Sequence, residues 1–248
     1  VSRREIYVPE GHDNGEELSL PQKALHHSVR LLLEIIFRLY FRIEVHGREN
    51  IPRNGSFILS PAHRSYLDTP LIGASVWRLM RYMGAEKMWT NRLLGWFLTA
   101  MGGFPVQRGS ADREALKAAL RVVERGEPLV MFPEGTRQSG PEILKMFDGP
   151  AYVACRTGVP IIPVGLGGTE LAMPKGKKFI RPVKMVVVVG VPLQPPPLKE
   201  SGRVSRNGVR ELTAKLRQSL QDLFDEAQMR AGSPNQHPLP GGPEIPLN

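Results

Sequence analysis

The stretch that most limits how this chain folds is "VKMVVVVG" (Val183–Gly190). Three shorter runs are of the same kind: "SFILS" (Ser56–Ser60), "PLVMFP" (Pro128–Pro133) and "VPIIPV" (Val159–Val164). They are apolar at successive positions, not at alternate ones. A strand turns its side chains to two faces in turn, so a continuous apolar run needs both faces covered. Segments of helical period lie between the runs. "ADREALKAALRVVERG" sets Leu116, Leu120 and Val123 on one face, carries acids in its first turn and ends at Gly126. Strands alternating with such helices imply an α/β fold, a mostly parallel or mixed sheet flanked by helices. Ligands of such sheets collect beyond the carboxyl ends of the strands. "RIEVHG" (Arg42–Gly47), "RYMGA" (Arg81–Ala85) and "FPVQR" (Phe104–Arg108) read as further strands. Helices are expected from Thr69 to about Leu79, in "NRLLGWFLTAMGG", in "PAYVACRTG" and from about Val209 to Met229. Asp68 is placed to cap the first of these.

The sheet-forming pattern occupies residues 42–231, expected to be one α/β domain. Residues 1–18 are expected to form a flexible arm, and the Pro/Gly-rich residues 232–248 a disordered tail. Between arm and domain, Ser19 and Gln22 are spaced as a capping box that opens an amphipathic helix over residues 19–41. Its leucines and isoleucines exceed one stripe, which suits packing on the domain, contact with a membrane surface, or both. No window approaches the ~18–20 uninterrupted apolar residues of a spanning helix, so no transmembrane span is expected. The start of the chain lacks the apolar stretch of a secretory signal.

Thirty-three Lys and Arg against 24 Asp and Glu give a formal charge of +9, which favours anionic partners. No helix shows a dense basic face, so nucleic acid is not expected among them. Cys155 is the only cysteine, which excludes an internal disulfide and suits a reducing compartment. It is expected to be a buried apolar residue, not a nucleophile.

Chemistry concentrates at the mouths of the strands. "SPAHRSYLDTP" sets His63 and Asp68 five residues apart, a spacing that does not share one helix face. A loop that folds Asp68 onto His63 would fix the imidazole tautomer and leave the other ring nitrogen as a base. This is the logic of a catalytic triad without its own nucleophile, so the nucleophile would come from the substrate. "GGFPVQR" brings Arg108 to a strand end, and "FPEGTR" presents Glu134, Gly135, Thr136 and Arg137 in a polar turn. Two arginines converging on the histidine suggest an anionic substrate, because guanidinium forks match phosphate oxygens.

These blocks, in this order, resemble the glycerolipid acyltransferases of the PlsC-like family. H-x4-D corresponds to His63 and Asp68. The second block corresponds to Gly102, Phe104, Val106 and Arg108, the third to Phe132–Arg137 in full, and the fourth to Val159–Val164. Pro105 departs mildly from the family pattern, and "EKM" (Glu86–Met88) lies where relatives often carry a K-x-E/K-hydrophobic stretch. The resemblance covers about residues 40–190. It implies transfer of a fatty acyl group from acyl-CoA or acyl-carrier protein to the free hydroxyl of 1-acyl-glycerol-3-phosphate, with no cofactor. Acylation of glycerol-3-phosphate or of another lysophospholipid is the alternative, and a non-enzymatic lipid-binding relative is a third reading.

On the implied assignment His63 is the general base and Asp68 orients it. Arg108, Arg137 and Lys87 hold the acceptor phosphate, and Glu134, Gly135 and Thr136 contact substrate. Glu134 alternatively orients Arg137, and N–H groups near Gly135 are candidate donors to an oxyanion. No metal is implied. The resemblance places the protein peripherally on the cytoplasmic face of a membrane, against an anionic surface. Trp89, Trp96 and Phe97 then join residues 19–41 as an interfacial platform. "KGKKFIRPVK" would add to it, meet CoA phosphates, or form a solvated hairpin.

Overall fold

A computed structural model describes residues 19–106, 113–174, 176–177, 179–198 and 201–236. The expected arm (1–18), most of the tail and Arg108 lie outside them. Among these residues seven strands form one mixed sheet in the order β1-β7-β6-β2-β5-β3-β4. They are β1 (Glu44–His46), β2 (Ile58–Pro61), β3 (Arg81–Ala85), β4 (Gly103–Val106), β5 (Leu129–Val130), β6 (Ile161–Gly167) and β7 (Val186–Val189). β6, β2, β5, β3 and β4 run parallel, β7 runs antiparallel to β6, and β1 is parallel to β7. The helices are α1 (Leu20–Tyr40), α2 (Asp68–Ser75), α3 (Arg92–Ala100), α4 (Arg113–Glu124), α5 (Gly149–Thr157), α6 (Thr169–Ala172) and α7 (Arg206–Arg230).

The continuous apolar runs are buried on both faces, as their pattern requires. Ile58 aligns with Leu129 and Ile161, and these three join α4, α5 and α7 in one core. The next residues along, Leu59, Val130 and Ile162, meet α2 and the end of α1 in the other. Gly165 and Gly167 let α7 lie directly on β6, because a Cβ at either would collide with the carbonyl oxygens of Leu223 or Ala227.

Two expectations about local structure are corrected. α2 ends at Ser75, short of Leu79; the Ser75 hydroxyl bonds back to the Leu71 carbonyl at 2.6 Å and Val76 is extended. Asp68 does not cap that helix. It is the first helical residue, and its carboxylate turns back into the preceding loop.

α1 opens with the anticipated capping box, Gln22 Oε1 accepting the Ser19 N–H at 2.8 Å. It packs on α2 and α3, burying His26 and Phe37. His26 is 6% exposed, and burial, aided by the charges of His27 and Arg30, lowers its pKa from 6.5 to about 4. The unfolded chain therefore takes up this proton first, and the stabilisation from neutral His26 is lost as pH falls from 6.5 towards 4. Melting temperature measured against pH is expected to drop over that interval, and to drop less in His26→Leu.

Candidate active site

The site is built where β2 and β5 end. Ser60 and Pro61 finish β2, and the chain turns through His63–Leu67 into α2. Asp68 Oδ2 organises this turn, accepting the N–H groups of Arg64 and Ser65 at 2.7 Å each and facing His63 Nδ1 at 2.8 Å. Asp68 is fully buried, and the His63 side chain keeps 10% exposure. The His63 ring also stacks on Phe132, which follows β5, with centroids 4.0 Å apart. Nδ1 is thereby committed, and Nε2 makes no hydrogen bond to a described residue.

Arg64, which no sequence motif marks, lies at the centre of the support. It is 1% exposed and bonds Glu134 Oε1 at 2.6 Å, the His63 carbonyl at 3.1 Å and the Glu142 carbonyl at 3.0 Å. Its guanidinium carbon stands 4.8 Å from the Phe224 ring centroid of α7. Glu134 Oε2 accepts the His63 backbone N–H at 2.8 Å. Glu134 thus uses both oxygens inside the protein, and its partner is Arg64, not Arg137. Glu170 on α6 is likewise marked by no motif. Burial raises its carboxyl above the usual range, against the opposing pull of Arg64.

The end of "FPEGTR", Gly135 to Arg137, forms the outer part of the turn. Gly135 takes φ +68°, and a Cβ there would strike the Phe147 ring. Its N–H donates to Phe132 O at 3.1 Å, and that of Thr136 to Glu134 O at 2.8 Å. Both candidate oxyanion donors are therefore engaged within the turn. Thr136 is exposed, its hydroxyl 3.0 Å from Gln138 Nε2. The guanidinium carbon of Arg137 sits 3.4 Å from the Tyr66 ring centroid, and this arginine has no ion pair among the described residues.

Lys87 is exposed in a 3-10 turn following β3, on the same rim as His63 and two strands away. The strands that carry them, β3 and β2, lie about 10 Å apart. β4 ends at Val106 on this rim, short of Arg108. Trp89 is corrected: it is 1% exposed, fits beside Gly84 and Gly103, and donates its indole N–H to Thr99 Oγ1 at 3.0 Å. Cys155 is 3% exposed, and burial pushes its thiol pKa up. Among the described residues no group of three or more His, Cys, Asp or Glu is placed to hold a metal.

A histidine held by a buried carboxylate, with no described serine or cysteine hydrogen-bonded to its ring, is an arrangement able to take a proton from a group that the substrate brings. The acyltransferase family matches residues 42–167, half of the chain. The chain belongs to that family.

Three relatives illustrate the match. A 1-acyl-sn-glycerol-3-phosphate acyltransferase of Bacillus subtilis (strain 168) is 27% identical over 162 residues, 65% of this chain and 78% of that one. The chloroplast 1-acyl-sn-glycerol-3-phosphate acyltransferase BAT2 of Brassica napus is 26% identical over 64% of this chain, which spans only 47% of its length. The crystal structure of the 1-acyl-sn-glycerophosphate (LPA) acyltransferase PlsC from Thermotoga maritima matches with a TM-score of 0.66 at 25% identity, covering 82% of this chain and 80% of that one.

Proposed function

We propose that this acyltransferase moves a fatty acyl group from a thioester, acyl-CoA or acyl-carrier protein, to the free hydroxyl of 1-acyl-glycerol-3-phosphate, giving phosphatidic acid. One observation carries the mechanism: His63 Nδ1 is fixed by Asp68, while Nε2 bonds no described residue. Nε2 would take the hydroxyl proton as that oxygen attacks the thioester carbonyl. The C–S bond then breaks, and the leaving thiolate recovers the proton from the imidazolium. Asp68 stabilises the charged ring and holds its tautomer. The two substrates react directly, without an acyl-enzyme.

Arg137 is the best-placed holder of the acceptor phosphate, since Tyr66 aligns it and no carboxylate among the described residues neutralises it. Lys87 and Arg108 follow parallel strands that end on the same rim and complete the set. Glu134, engaged by Arg64 and the His63 backbone, serves the acceptor indirectly by positioning the base.

No described helix is long and apolar enough to cross a membrane. α1 nevertheless exposes Leu31, Leu32, Ile35, Ile36 and Leu39, and α3 beside it exposes Leu93, Trp96 and Phe97. An anionic membrane surface is the partner that would cover them, with the protein bound peripherally.

The test is release of free thiol from acyl-CoA by the purified chain. Release is expected to depend on added 1-acyl-glycerol-3-phosphate. Equal or faster release with glycerol-3-phosphate or lysophosphatidylcholine would overturn the acceptor assignment.

A further inference from the structure

Residues 176–177 and 179–184 lie in the connection between α6 and β7, and their surface does not suit a water-facing hairpin. Phe179 is 87% exposed and Ile180 beside it 45%. Leu39 and Tyr40, at the end of α1, are 79% and 45% exposed. The two segments are joined, the Tyr40 hydroxyl bonding the Ile180 carbonyl at 3.3 Å and Arg42 Nη2 the Pro182 carbonyl at 3.4 Å. Arg42 is the one described non-glycine residue at positive φ, +50°. It holds a left-handed conformation, disfavoured for its side chain, at the bend that joins α1 to β1.

The loop itself is braced. Lys177 N–H donates to Pro174 O at 3.0 Å, and Arg181 N–H to Ala172 O at 2.9 Å. Arg42, Lys177 and Arg181 have no carboxylate partner among the described residues, whereas Lys184 pairs with Glu44 at 2.9 Å. The root of the loop adjoins the site, Ser65 Oγ donating to the Met173 carbonyl at 2.9 Å.

We propose that this loop is a second membrane contact: Phe179 and Ile180 enter the bilayer beside Leu39, while Lys177, Arg181 and Arg42 meet anionic head groups. The occupant is argued from chemistry. An exposed aromatic and an aliphatic side chain flanked by unpaired cations complement an apolar interior beneath negative head groups. The hydrogen bonds from Tyr40, the last residue of α1, and from Arg42 just beyond it place the loop beside the end of that helix. The inference rests on reading the α1 face as membrane-facing.

The test is co-sedimentation of the full chain with phosphatidylcholine vesicles, with and without phosphatidylglycerol. Phe179→Ser is expected to weaken binding to both, by roughly tenfold. Lys177→Ser/Arg181→Ser should weaken binding roughly thirtyfold, on the anionic vesicles only. Activity on a short-chain acceptor in free solution should be unchanged in all loop variants. If they bind like the wild type while Leu32→Ser/Leu39→Ser does not, the loop proposal falls and the α1 reading stands. A wild type that binds neither vesicle overturns both. A raised KM for acyl-CoA with intact vesicle binding would assign the loop to the donor and likewise reject the proposal.

Discussion

His63→Ala is expected to fold normally and to lose thiol release by about a factor of 10³ or more. Loss of a positioned base alone accounts for 10²–10⁴. The substitution also removes the imidazolium that returns a proton to the leaving thiolate. The fold should survive because the organising bonds of the turn do not run through the ring. Asp68 still accepts the N–H groups of Arg64 and Ser65, and Glu134 still accepts the backbone N–H of residue 63. Circular dichroism and melting temperature report on folding, and single-turnover thiol release reports on the chemistry. Near-normal turnover in a folded His63→Ala protein would reject the mechanism.

Arg64→Met should be the most damaging substitution away from the reacting atoms. It leaves the Glu134 carboxylate buried and unpaired next to the histidine that Glu134 holds. Removing one partner of a buried ion pair costs about 3–5 kcal/mol. In a chain of 248 residues this amounts to roughly 10 °C in melting temperature. Arg64→Met/Glu134→Gln removes the stranded charge and should recover most of the lost stability. It should not recover activity to the same degree, because the link from Arg64 through Glu134 to the His63 backbone is gone. The diagnostic readout is kcat of the folded double variant, expected to fall while KM for the acceptor changes little. Arg64→Lys should rescue only in part, since one ammonium cannot reproduce a fork that spans Glu134, His63 O and Glu142 O. If kcat returned in full with stability, the pair would be purely structural.

What the sequence made legible was whatever is local or periodic. The two-sided strands, the capping box at Ser19 and Gln22, and the turn of His63 towards Asp68 each depend on a few neighbouring residues and a fixed period. What stayed hidden depends on partners far apart in the chain. Arg64 and Glu134 are 70 residues apart, and nothing near either names the other as its buried partner. A hint existed in the arginine following directly on a buried strand mouth, where a charge requires a partner. Trp89 read as an interfacial aromatic because its niche beside Gly84 and Gly103 appears only once β3 and β4 pair. Asp68 read as a helix cap because Asp before a helix usually is one, and its acceptance of the preceding N–H groups is a property of the folded turn.

The seating of α7 on Gly165 and Gly167 bears on where the catalytic unit ends. The family match stops at residue 167, yet α7 supplies Phe224 beneath Arg64. It also supplies Gln221, which bonds the Ile143 N–H at 2.7 Å, and Gln228, which bonds the Gly168 N–H at 2.7 Å. The segment carrying the recognisable motifs is therefore not a portable module. Grafted or expressed without the helix that follows it some forty residues later, it would keep every chemical group and lose the frame that aims them.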